Sequence, residues 1–143
     1  MKKYLYPSLL VVFGLLAAAI FYFKKPDFRT PELKERHGDL SAGKEWLNTK
    51  AAIEGLLAKL RTNPKDQKSR LLLAQAYMQE ARVTGDHPYY DGAAMQLLEE
   101  VLQVEPENFE ALCCKASLCL TQHHFAQGLG IAEQAQKINP NSG

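Results

Sequence analysis

Charge of one sign is what this sequence most clearly lacks. The 143 residues carry a net charge of +1, and nowhere do five like charges stand together. Without a broad basic field there is no electrostatic footprint for gathering nucleic acid, so a nucleic-acid partner is not expected. The chain also lacks a phosphate-cradling glycine loop, a GxSxG elbow and an HExxH pair, and its four histidines have no carboxylate at a telling spacing. The expectation is a non-enzymatic protein with no cofactor. Cysteine is confined to three residues beyond position 112, with no CxxC for redox exchange and no CxxCH for covalent haem attachment. None follows the N-terminal apolar run, so an acylated lipoprotein anchor is not indicated.

What is present is an ordinary folding composition, 46% hydrophobic and 23% charged, at a length suited to one domain. The apolar run over residues 4–23, "YLYPSLLVVFGLLAAAIFYF", is bracketed by Lys2-Lys3 and Lys24-Lys25. A helix of that length spans about 30 Å, the thickness of a bilayer's hydrocarbon core. Aromatic residues at both ends, Tyr4 and Tyr6 against Phe21, Tyr22 and Phe23, suit the two membrane interfaces. The reading is a transmembrane anchor. A cleaved secretory signal stands as the alternative, weakened by an apolar run longer than a signal's core and by the "IFYFKK" start that cleavage after Ala19 would leave. The flanking lysines balance, so the positive-inside rule has little to act on. The short N-terminal tail points to an extracytoplasmic soluble domain, whereas three free thiols count against an oxidising compartment.

Residues 24–43 follow as a polar spacer interrupted by Pro26, Pro31, Gly38 and Gly43, with room for one short helix over residues 32–36. From Trp46 onward the apolar residues fall three and four apart, without any strand-like alternation, which makes residues 44–143 an all-α domain. A lone helix over 44–62 carries Trp46, Ile53, Leu56, Leu57 and Leu60 and stops before Pro64. Two further helix-ending prolines, Pro106 and Pro140, stand 34 residues apart.

On those prolines the chain resembles the tetratricopeptide repeat (TPR) family, whose unit is a pair of antiparallel helices, A then B. Repeat one covers 67–106, with Leu73, Ala74 and Tyr77 on helix A and Ala94, Leu98 and Val101 on helix B. Repeat two covers 109–140, with Leu112, Ala116, Cys119, Gly128, Ala132 and Ala135 in the corresponding places. It departs from the pattern at Lys115, where an apolar residue is usual. Repeat one is about eight residues longer than the pattern, and the excess reads as a lengthened loop over 82–92, with Asp91 as the next helix's N-cap. That loop is either a contact surface or tolerated variation.

The resemblance implies a helical solenoid acting as a protein interaction scaffold, with a partner's peptide or helix held in the groove that the A helices line. The implied groove residues are Lys68, Leu71, Gln75 and Met78 in repeat one, and Glu110, Cys113, Ser117 and Leu120 in repeat two. Their soft, mostly neutral character suits an apolar or helical ligand. A lone helix, then "KLRTNPKD" and "LLLAQAYM" behind a membrane segment, is also similar to the TPR subunits of bacterial cytochrome c biogenesis. The alternative function is therefore a maturation factor presenting apocytochrome for haem ligation. Another class of reading, a metal or thiol site at Cys119 and His123, rests on their four-residue spacing. The other candidate ligands diverge, Cys113 being rotated from Cys119 by about 240°. Packing is the expected role of Cys119. After helix B of repeat two, Ile131 and Ile138 have no following repeat in this sequence, so that end is expected to belong to a longer array or to be covered by self-association or another subunit.

Overall fold

The computed structural model describes residues 33–38 and 43–141, and in these the protein is all-helical. Five helices follow one another: α1 (Lys44–Thr62), α2 (Gln67–Thr84), α3 (His87–Val104), α4 (Phe109–Thr121) and α5 (Phe125–Ile138). The expected anchor over residues 4–23 lies outside the described residues. Among the described ones no helix is long and apolar enough to cross a membrane.

Several of the boundaries have a local cause. Asp66 caps α2 by accepting the Ser69 N–H at 2.9 Å, and Asn108 caps α4 by accepting from Ala111 at 3.0 Å. The Ser69 hydrogen bonds, backbone first and hydroxyl second, hold the Asp66 carboxyl below its ordinary pKa. Prolines 64 and 106 follow the ends of α1 and α3, where the last carbonyls are met by the N–H groups of Asn63 and Glu105.

Packing is chiefly between consecutive helices. α2 pairs with α3 and α4 with α5, while α1 lies on α2, and α4 lies against both α3 and α2. The core sits between the paired helices. Leu73, Ala74, Tyr77 and Ala81 are buried on α2, and Tyr90, Ala94, Leu97, Leu98 and Val101 on α3. In the second pair Leu112, Ala116, Leu118, Cys119 and Ala135 are buried. Gly128 makes the close approach there: a Cβ at this position would meet the Ala116 carbonyl oxygen and the Cys119 Cβ at 3.4 Å. Ala132, placed by the repeat pattern among the packed positions, is exposed.

The expected loop over 82–92 is mostly helix. α2 continues to Thr84, Gly85 at φ +73° and Asp86 turn the chain, and α3 begins at His87. The eight-residue excess therefore lengthens both helices: α2 and α3 are 18 residues each, against 13 and 14 for α4 and α5. Pro88 permits this, because a proline in the first turn of a helix removes an N–H that has no intrahelical partner. Asp91, expected as an N-cap, is instead buried within α3 and pairs with His87 Nδ1 at 3.2 Å; the N-cap position belongs to Asp86.

The expected short helix over 32–36 is likewise replaced, since residues 33–37 carry no helix. The cause is tertiary. The Lys34 N–H donates to the Tyr90 hydroxyl at 3.0 Å, its ammonium pairs with Asp86 and lies 3.7 Å from the centre of the Tyr89 ring. Arg36 is drawn further in. Its guanidinium forms a two-pronged pair with Glu80, one bond being Nε to Oε2 at 3.1 Å, while Nη2 donates to Glu45 Oε1 at 3.2 Å and the group lies over Trp46. A spacer in sequence is a docked strap in structure.

The buried tyrosines set an alkaline limit. Burial, and then the neighbouring Tyr90, push the Tyr77 pKa up to about 12. In the unfolded chain it is about 10, so the folded form holds the proton more tightly. The contribution of Tyr77 is therefore fully present below about pH 10, and stability is expected to fall by roughly 2–3 kcal/mol as pH rises from about 10 to about 12. Urea titrations across that interval measure the slope, and Tyr77→Phe should remove most of it.

Candidate functional site

The eight groove residues divide into two environments. In the first hairpin Lys68 is exposed and Gln75 half-buried, but Leu71 and Met78 are buried. They do not form an open groove, because that hairpin has helices on both sides, α1 against α2 and α4 against α2 and α3. In the second hairpin Glu110, Cys113 and Leu120 are exposed and Ser117 is half-buried. Cys113, Ser117 and Leu120 line one cleft of about 440 Å³ between α4 and α5.

Helix periodicity places these three side chains on one face, since positions 113, 117 and 120 are four and three residues apart. The opposite wall is α5, through Leu129, Ala132, Glu133 and Gln136. These residues were absent from the expectation, which followed the A helices alone. The signal available for them was the same three-and-four spacing on the second helix of the pair. The small residues Ala116 and Ala132 leave the cleft open, and Leu120 and Leu129 remain 52% and 61% exposed. Glu133 is the one charged side chain in the lining. Burial, and then the Glu110 charge, raise the pKa of the Cys113 thiol, so it is poorly suited to act as a thiolate nucleophile.

The cluster that invited a metal or thiol reading is dispersed. Cys119 is fully buried in the α4–α5 core, Cys114 accepts a hydrogen bond from Gln75 Nε2 at 3.7 Å, and His123 is exposed in the turn with φ 61°. Among the described residues no three metal-ligating side chains come together.

A second concavity, of about 530 Å³, lies between the strap and the α2–α3 corner, lined by Lys34, Arg36, Thr84, Asp86 and Tyr90 among others. The strap's two basic side chains there are paired: Lys34 with Asp86 in the lining, and Arg36 with Glu80 and Glu45 behind it. Hydrogen bonding to Glu80, and then to Glu45, raises the Arg36 pKa above its ordinary value. The strap forms one wall of this concavity, and its Lys34 and Arg36 are already committed to acids of the same chain. The α4–α5 cleft, apolar with one acid at its wall, is a surface able to take another molecule.

No protein-family model, no curated protein and no solved structure matches the chain.

Proposed function

We propose that this chain is a non-catalytic interaction scaffold of TPR type, held to a membrane through residues 4–23 with its helical domain on the extracytoplasmic side. Its partner's peptide or helix sits on the second hairpin. The observation carrying this reading is the α4–α5 cleft, where Leu120 and Leu129 stand exposed above small residues. Clustered exposed apolar side chains mark binding surfaces more often than isolated ones do. Support for the TPR assignment comes from the 34-residue proline spacing together with two consecutive helical hairpins.

Position-specific crosslinking in the native membrane tests the reading. A photoreactive side chain at Ser117 should give one discrete adduct with a protein partner, whereas the same group at Lys59, exposed on α1, should not. Equal adducts at both positions, or none at Ser117, would count against the cleft as the partner site.

A further inference from the structure

The chain presents one surface twice, and the first copy shows what belongs on the second. In the first hairpin α4 lies across α2 and α3. Two contacts fix its seat: Lys115 Nζ reaches Glu99 Oε1 of α3 at 3.1 Å, and Gln75 of α2 donates to the Cys114 sulfur at 3.7 Å. Lys115 is the residue that departs from the apolar repeat pattern, and this ion pair is what the departure supplies.

The internal repeat carries that seat onto the second hairpin. A shift of 34 residues, set by Pro106 and Pro140, takes Leu98 to Ala132 and Glu99 to Glu133. On the first helix of the pair the shift is 42, because of the lengthened helices, and it takes Gln75 to Ser117 and Met78 to Leu120. All four resulting positions line the single α4–α5 cleft. Leu98 and Met78 are buried, while Ala132 and Leu120 are exposed. Glu99 has Lys115, and Glu133 has no ion-pair partner among the described residues.

We infer that the α4–α5 cleft receives one amphipathic helix of a partner protein, laid across it as α4 lies across α2 and α3, and that this helix carries a lysine or arginine that pairs with Glu133. The inference rests on the scaffold reading above and adds the chemistry of the ligand. A helix fits better than an extended peptide because both walls are helices, whose backbone groups bond internally and leave no edge for strand addition. The floor residues Ala116 and Ala132 permit close helix approach. The α4 of a second copy is not free to serve, since it is already packed against α2, α3 and α5 of its own chain.

The test uses the full chain in detergent micelles and a probe helix copied from residues 107–122, with its three cysteines replaced by alanine. A hydrocarbon staple on the face away from the lysine keeps so short a segment helical. Fluorescence anisotropy should show binding, weakened about tenfold when the probe carries Lys115→Glu, as loss of a pair and gain of repulsion require. In Glu133→Lys protein the preference between the two probes should invert, and Ala132→Trp, which fills the cleft, should abolish binding of both. Glu133 and Ala132 are exposed helical positions, and circular dichroism confirms that each variant is folded. Failure of both probes to bind, equal binding of the two, or indifference to Glu133→Lys overturns the inference. In each of those cases an intact Ser117 crosslink leaves the scaffold reading standing, and its loss removes that reading as well.

Discussion

Arg36→Ala should destabilise the protein by about 3–5 kcal/mol, the range found when one partner of a buried ion pair is removed. The Arg36 side chain is 1% exposed and Glu80 is wholly buried, so truncation leaves a carboxylate inside the domain without its counter-ion or its two-pronged hydrogen bonding. Against a total stability of roughly 5–15 kcal/mol for a domain, that loss is a large fraction. Arg36→Lys should recover little, because an ammonium cannot reproduce the planar fork that grips Glu80 while also reaching Glu45. Replacing both charges, Arg36→Met with Glu80→Leu, should restore most of the loss, since the damage comes from the orphaned carboxylate. Urea unfolding of the four proteins measures this, and a single-mutant effect below about 1 kcal/mol would show that the strap contributes no more than an ordinary surface pair.

Met78→Ala should cost about 2–5 kcal/mol, while its repeat counterpart Leu120→Ala should change stability by no more than about 0.5 kcal/mol. The two residues occupy the same position in successive hairpins. Met78 is 6% exposed and Leu120 52%, so one truncation opens a cavity and the other trims surface already in contact with water. Once the probe helix is bound, Leu120→Ala should instead lower its affinity, because burial at that position then depends on the ligand. Thermal unfolding of both variants, alone and with saturating probe, separates the two roles. An equal loss from both substitutions without the probe would mean that Leu120 is buried in solution.

The helical pairs were legible in the sequence because their causes are local or periodic. Pro64, Pro106 and Pro140 mark helix ends, and Ala74, Tyr77, Ala94 and Leu98 are buried at the positions that the resemblance to the repeat pattern implied for them. Residues 82–92 were misread because Gly85, Asp86 and Pro88 suit a loop as well as they suit one tight turn followed by a helix start. The strap was invisible for a different reason. Arg36 and Glu80 are 44 residues apart, and neither periodicity nor composition links an arginine in a polar segment to an acid within a helix. The cleft was half legible: position along the A helix found Cys113, Ser117 and Leu120, but the wall on α5 and the burial of Leu71 and Met78 depend on which neighbours cover which face.

The docked strap also decides how the domain meets a mechanical load. Residues 33–38 precede α1 in the chain, yet they are fastened to α2 and α3 through Arg36, Glu80, Lys34, Asp86 and Tyr90. A pull on the chain from the N-terminal side therefore reaches this clasp before it reaches Lys44, and α1 is not peeled from α2 until the clasp opens. The first joint to meet such a pull is then a charged fastening at the corner of the longer hairpin, part of it the buried Arg36–Glu80 pair.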